Sequence, residues 1–456
     1  AGAEAIPNLS RWFNVVAMLF VLVGTGFITY HLTGHRLFSV ASAWLVTLAP
    51  KTAFVMISGM ETPFFLALVI CGLAFALYRR VGWAVLLLGL SVWFRPEAVF
   101  IIGLYGLWLI WSCWEYRKKQ QIRPLIGQLF ILGLPGLLEA TFLLTFYNTL
   151  LPQSVLAKSA GLYPMPIWAG GFRGGENALR FFQPLYAIIP APSSVIAAFG
   201  IAFLSILVIS AIQWLYKEQS FLLFIPIMYI IFLIFYTTSK TLIMPWYYGQ
   251  YEWFELMTYA IGIYAFIHSV SRAYIAAIAT IIIGVLAFSS QHDWLAHAQS
   301  TPEFPYVSNR EEIYYDLIQV IEPQLEPNTV IAMPEIGVLG YFLPEVEIVD
   351  TAGLVTPAAT AYFPVPEEQR LVSEFGVIPR EVILDTQPDM IITLEVFGNR
   401  GLFIADWFEK QYRTDFILRE QDYQGDDNWQ VIAFGSDALY VFARNDVTAL
   451  DYSQLD

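Results

Sequence analysis

The stretch Gly59-Met60-Glu61-Thr62-Pro63 and its counterpart Arg95-Pro96-Glu97 each sit between long apolar runs. A charge at the centre of a bilayer costs ~2.5–3.5 kcal/mol on insertion scales. Glu61, Arg95 and Glu97 are therefore expected at a membrane edge, or facing a watery cavity inside a helical bundle. These short polar turns set the register of every apolar run around them.

Composition agrees. Of 456 residues, 57% are hydrophobic and 14% charged, whereas a soluble globular domain is charged at about a quarter of its positions. The apolar residues concentrate in 11–290, and 300–456 has the composition of an ordinary soluble domain. The expected fold is a multi-span α-helical membrane bundle over 1–290, followed by a soluble α/β domain over 300–456.

A spanning helix needs ~20 apolar residues. The candidate runs are 11–32, 37–57, 63–79, 82–94, 97–115, 125–148, 194–216, 220–238, 250–269 and 273–289. The run at 37–57 is broken by Pro50 and Lys51, and that at 82–94 is short. Arg79 and Arg80 share one turn, and Arg117, Lys118, Lys119 and Arg123 another, with Lys217 and Arg272 in two more. If the runs alternate, all four turns fall on one face, which the excess of cations marks as cytoplasmic. The opposite face then carries Glu61, Arg95, Glu97, the loop 148–193, the loop 237–250 and everything after residue 288. This count also puts Ala1 outside. An eleventh span upstream would restore a cytoplasmic start, so the chain is expected to be an N-terminally truncated fragment.

The net charge is −14, with most acids after Gln299. That excludes the basic stripe of a nucleic-acid-binding protein. Cys71 and Cys113 both lie inside apolar runs and read neither as a disulfide nor as metal ligands. His292 and His297 stand apart from other ligand types, and no HExxH or EF-hand loop is present. No metal site is expected from these residues.

The outward loops carry the remaining chemistry. The loop 148–193 is far longer than an ordinary connection, and contains Asn148, Gln153, Lys158 and Arg173. Cations on the face with few of them suit an anionic ligand such as phosphate; the alternative is a solvated loop with incidental charges. The segment 240–252 reads KTLIMPWYYGQYE. Its Tyr247 and Tyr248 fit either an interfacial aromatic belt or a stacking wall for a sugar or lipid-linked substrate.

In the tail, Ile313, Leu317, Val320, Ile321 and Leu325 mark one face of a helix over 311–326. Strands are expected at 329–333, 346–349 and 390–394, with a helix over 379–385 before the third. The runs 416–419, 430–434 and 438–442 read as a meander. Strands alternating with helices give an α/β domain with a partly parallel sheet. Asp350 follows a strand, where it either faces a ligand or caps the next turn.

Four segments carry a family resemblance: GMETPFF at 59–65, WFRPEA at 93–98, NTLLPQSVLAKSAG at 148–161 and EIGVLGYFLPEVEIVDTAGLVTP at 335–357. In order and on one face, they resemble the GT-C class of integral-membrane glycosyltransferases. The likeness is to bacterial members near the mycobacterial arabinofuranosyltransferases and the polyprenyl-phosphate-mannose mannosyltransferases. It implies a bacterial inner-membrane, multi-pass protein with an extracytoplasmic tail. It further implies transfer of a sugar from a polyprenyl-phosphate donor to an envelope glycan, lipid or protein acceptor.

The family's acidic pair sits in the first outside loop after the first span. This chain opens at what resembles the second span, so no catalytic residue is assigned. Substrate-binding candidates are Glu61, Arg95, Glu97, Asn148, Gln153, Lys158, Arg173, Tyr247 and Tyr248. The leaving phosphate needs cations or a divalent metal ion to stabilise it, and Arg95 and Lys158 are the candidates for that role. Arg95 alternatively forms a local ion pair with Glu61 or Glu97, and Glu61 alternatively caps the helix beginning near Pro63. The competing functions are a lipid-linked-sugar transporter, which usually shows repeated halves not seen here, and a non-catalytic envelope assembly protein.

Overall fold

A computed structural model describes residues 5–47, 49, 52, 61–116, 122–162, 193–238, 247–270, 309–370, 378–398, 405–419, 438–453 and 455. The chain divides into two compact units. The first comprises Ala1–Leu150, Trp168–Ser239 and Ile243–His297; the second comprises Leu151–Ile167, Lys240–Leu242 and Ala298–Asp456.

The first unit is helical among its described residues: α1 (Ala5–Thr33), α2 (Arg36–Thr47), α3 (Thr62–Leu77), α4 (Val81–Leu90), α5 (Ala98–Tyr116) and α6 (Ile122–Tyr147), with α8 (Ser193–Glu218), α9 (Phe224–Thr238) and α10 (Tyr248–Val270) following. Helix α7 (Gln153–Ser159) lies between them in sequence but belongs to the second unit. Among the described residues, four helical segments are long and apolar enough to cross a membrane: Leu9–Thr33, Arg123–Tyr147, Gly200–Glu218 and Ser220–Thr238. Of the expected span at 37–57, the described part is helical in α2, and residues 48, 50, 51 and 53–57 lie outside the described residues. The run at 82–94 divides into α4 and one 3₁₀ turn over Ser91–Trp93. The expected run at 273–289 lies outside the described residues.

Helices α3 and α4 form a tight hairpin for local reasons. Pro63 sits in the first turn of α3, where its missing N–H costs no intrahelical bond. At the other end Arg79 takes a left-handed φ of 57°, and the Arg80 N–H reaches back to the Phe75 carbonyl at 2.9 Å, closing the helix. Gly72 then lets the two helices touch, since a Cβ there would lie 2.8 Å from Leu88 Cγ. On the far side the 3₁₀ turn that follows α4 meets α6 at its internal proline: the Trp93 Nε1–H donates to the Pro135 carbonyl at 3.0 Å. One apolar core, including Phe38, Phe65, Leu88, Phe232 and Phe254, runs through the unit.

The second unit is a five-stranded mixed sheet ordered β2-β1-β3-β5-β4. Its strands are β1 (Val330–Met333), β2 (Glu347–Asp350), β3 (Met390–Leu394), β4 (Tyr412–Arg419) and β5 (Ala438–Arg444). β1 runs parallel to β2 and β3, while β5 is antiparallel to both β3 and β4. Alternation along the strands feeds two cores. Ile331, Met333 and Ile392 join one with α11 (Asn309–Ile321). Ala332 and Ile391 join the other with α13 (Arg380–Thr386). The order also places α12 (Ile336–Phe342) after β1 and α14 (Asp406–Gln411) before β4.

The expected α/β domain is thus present, with two adjustments. The helix expected over 311–326 ends at Ile321, and Pro323 falls in a single 3₁₀ turn. The strand expected at 416–419 begins at Tyr412 and carries a register shift between Thr414 and Phe416. The run at 430–434 lies outside the described residues.

Close backbone approach makes one glycine of the helical unit decisive. A Cβ on Gly262 of α10 would sit 2.3 Å from the Leu207 carbonyl oxygen of α8. Gly262→Ala should therefore destabilise by about 1–3 kcal/mol through overpacking. Gly127→Ala on α6, with nothing within 4 Å, should instead gain up to about 1 kcal/mol of helix propensity. Thermal unfolding of the two purified variants checks the contrast.

Candidate functional site

The hairpin of α3 and α4 brings the two polar turns together. Glu61 occupies the position just before α3 but makes no side-chain cap bond. Its carboxylate instead reaches Arg95 Nη2 at 3.0 Å, while Glu97 Oε1 lies 3.8 Å from Arg95 Nη1. The capping alternative for Glu61 is thereby corrected: the side chain goes to a guanidinium, and the helix start rests on Pro63 and the Glu61 carbonyl, which accepts from the Phe65 N–H at 3.1 Å.

Burial separates the three groups. The Arg95 side chain is 3% exposed and Glu97 7%, but Glu61 is 42% exposed. Charges this deep need partners, because an unpaired buried ion costs several kcal/mol. Tyr247 supplies a further one: the Arg95 guanidinium carbon stands 4.9 Å from its ring centroid, a favourable cation–π distance. Glu97 is also approached by the Tyr236 hydroxyl at 3.4 Å, and the Gln250 side-chain amide donates to that hydroxyl at 2.6 Å.

Tyr236 on α9 and Gln250 on α10 were not singled out from the sequence. Their signal there is weak, a tyrosine and a glutamine in otherwise apolar or aromatic runs. Among the described residues, Arg95 Nε and Glu97 Oε2 have no hydrogen-bond partner. The cluster thus holds one guanidinium and two carboxylates, with its exposed edge at Glu61.

The loop candidates lie on other elements of the chain. Asn148 follows α6 with φ 52° and is exposed. Gln153 and Lys158 lie on α7 in the second unit. Arg173 and the side chain of Tyr248 lie outside the described residues. Among the described residues, no group of three or more His, Cys, Asp or Glu is arranged to hold a metal ion.

In the second unit the 148–161 segment meets the tail segment. The Gln153 amide donates to the Gly353 carbonyl at 2.9 Å, and Ala157 and Leu162 pack into the same core as Leu339 and Ala352. Gly161, at φ 98°, lies against Pro364. Gly353, at φ 72°, closes a turn built on Asp350. The buried Asp350 carboxylate accepts from the Ala352 N–H at 2.9 Å and the Val355 N–H at 2.7 Å. Burial pushes its pKa up, against the downward pull of these backbone donors. Of the two sequence readings of Asp350, its bonds realise the turn-capping one.

A family model described as "Domain of unknown function (DUF8728)" matches residues 305–448. That stretch spans all five strands of the second unit. No curated protein matches the chain.

These partners set the order of stability losses. Arg95→Ala strands Glu97 in the apolar interior and should cost about 3–5 kcal/mol. Glu61→Gln, at the half-exposed edge, should cost about 1 kcal/mol or less. The paired replacement Arg95→Met with Glu97→Met should recover part of the Arg95→Ala loss. Thermal unfolding of the variants checks the order, and an equal loss in Glu61→Gln and Arg95→Ala would contradict it. In the second unit, Asp350→Ala removes the acceptor of two backbone donors and should destabilise by about 2–4 kcal/mol, measured by denaturant unfolding.

Proposed function

We propose that the chain is a multi-pass membrane protein of GT-C type. On this reading it moves a sugar from a polyprenyl-phosphate donor to an envelope glycan, lipid or protein acceptor at the extracytoplasmic face of a bacterial inner membrane. The observation that carries the reading is the buried Arg95 guanidinium with a half-exposed Glu61 on its outer edge. The four apolar helices of spanning length support the membrane setting. The resemblance of the segments around Glu61 and Arg95 supports the reaction class.

The chemistry runs through exchange of anions on Arg95. Two carboxylates around one guanidinium leave the cluster with a net negative charge, so a phosphodiester cannot simply be added. It can replace the Glu61 carboxylate at Nη2, since Glu61 is the member nearest solvent. That exchange keeps the charge balance and gives the phosphate a forked, charge-assisted grip. It also releases Glu61 to face the acceptor. In an inverting transfer the acceptor oxygen attacks the anomeric carbon, and the bond from that carbon to the phosphate oxygen breaks. The acceptor proton passes to a carboxylate within hydrogen-bond reach. Arg95 stabilises the negative charge left on the phosphate, and Glu97 holds Arg95 in place from the buried side.

A second reading, a non-catalytic envelope assembly protein, draws on the same ion pairs, which are complete enough to serve the fold alone. Turnover separates the two. Full-length protein in lipid vesicles is supplied with a panel of radiolabelled polyprenyl-phosphate sugars and envelope acceptors. The enzyme reading expects label transfer, with Glu61→Gln and Arg95→Lys each lowering it by about 10²–10³-fold, the usual cost of losing a charge-stabilising group. Donor that is never consumed by wild-type protein would leave the assembly reading standing.

A further inference from the structure

The end of the α3–α4 hairpin remote from Glu61 carries cations of a different kind. Helix α3 has 16 residues and so spans about 24 Å at 1.5 Å per residue. Its far end turns at Arg79 and Arg80, both exposed. Neither has an ion-pair partner among the described residues, whereas Arg95 is held by two carboxylates. Arg79 and Arg80 line a shallow, open depression together with Val81, Gly82, Trp83 and Leu86.

The residues on either side of the arginines include exposed aromatics. Trp83 is 58% exposed, and its ring stands 6.3 Å from Phe75 on α3. Tyr78, also exposed, meets Phe27 and His31 of α1 edge-on at 6.3 and 5.8 Å. Paired positive charge is therefore flanked by exposed aromatic residues. A free anion would use the charge alone, and an apolar peptide the rings alone. An amphiphile with an anionic head uses both.

We infer that the Arg79–Arg80 turn is a binding site for an anionic glycerophospholipid. The phosphodiester sits between the two guanidiniums, and the upper acyl chain lies along Trp83 and Phe75. Trp83 suits this level because its ring is amphipathic, and arginine suits it because the planar fork matches phosphate oxygens. The inference rests on the membrane reading above but not on sugar transfer. It assigns a lipid to the face that the sequence marks as cytoplasmic.

The test uses the full chain purified in mild detergent. Native mass spectrometry measures binding of phosphatidylglycerol and of phosphatidylcholine with the same acyl chains, with inorganic phosphate as a competitor. Each basic residue near an anionic surface contributes about fivefold in affinity. Wild-type protein should therefore prefer phosphatidylglycerol by about 20–30-fold. The double variant Arg79→Gly with Arg80→Gln should lose that preference. Glycine is chosen because it suits the left-handed backbone at Arg79. Arg80→Gln alone should lose about fivefold and serves if the double variant fails to fold. Arg123→Gln, at another cationic turn, should keep the preference.

A wild type without preference, or an Arg80→Gln variant that keeps all of it, would overturn the assignment. So would displacement of the lipid by millimolar inorganic phosphate, which would mark a free-anion site. Carbonate washing of cell membranes tests the membrane reading separately. A chain released by the wash fails that reading, whatever lipid the purified protein prefers.

Discussion

A guanidinium placed in an apolar helical bundle must bring its counter-charges with it. Arg95 does so with Glu61 across the hairpin and Glu97 two residues on. The requirement constrains much of the first unit. It fixes the register of α3 against α4, because a shift of either helix would carry Glu61 away from Arg95. The turn at Arg79 and the touching surfaces at Gly72 and Leu88 set that register from the other end. It also draws in α9 and α10, which bring Tyr236 and Gln250 to the cluster, with Tyr247 from just before α10. Polar side chains in an apolar core are specific in a way that leucines are not, since each has few acceptable partners.

The second unit follows the same logic with different groups. Its sheet is held by alternation, with Ile331 and Met333 on one face and Ala332 on the other. Its buried Asp350 carboxylate takes backbone N–H groups as partners and so shapes the turn after β2. The short helix α7 docks on that turn through Gln153. The four segments that carry the family resemblance thus form two pairs. The first two meet through an ion pair in the helical unit, and the last two meet through an amide–carbonyl bond in the sheet unit. Sequence motifs far apart along the chain are here the two halves of a contact.

Much of this was legible in the residues. Apolar runs are long and cleanly punctuated, so nearly every helix of the first unit lies where hydropathy places it. The exceptions have local causes. Helix α2 stops at Thr47, near Pro50, and the residue before a proline is disfavoured in the α conformation. The ion pair at Arg95 was one of two readings, because a charge between apolar runs satisfies either a ligand or a neighbour. Tyr236 and Gln250 were not legible. Their partner is 139 residues away in one case, and nothing local marks a buried tyrosine as polar in purpose. In the sheet, the interior position of β5 was hidden for a similar reason. Its neighbours β3 and β4 precede it in the chain, and only pairing decides which strand lies between them. The early start of β4 was masked by Arg413, Thr414 and Asp415, whose polarity reads as loop. Asp415 is buried there and accepts from the Tyr452 hydroxyl at 3.0 Å.

The central claim is that a lipid-linked sugar phosphate meets the protein at Glu61 and Arg95. A polyprenyl phosphate-sugar bearing a photoreactive group beside the phosphate tests it most directly, with labelled peptides identified by mass spectrometry. The account predicts label on the peptides containing Glu61 and Arg95, and loss of that label when excess unmodified donor is present. Label confined to the outer surface of α6, unchanged by excess donor, would contradict it.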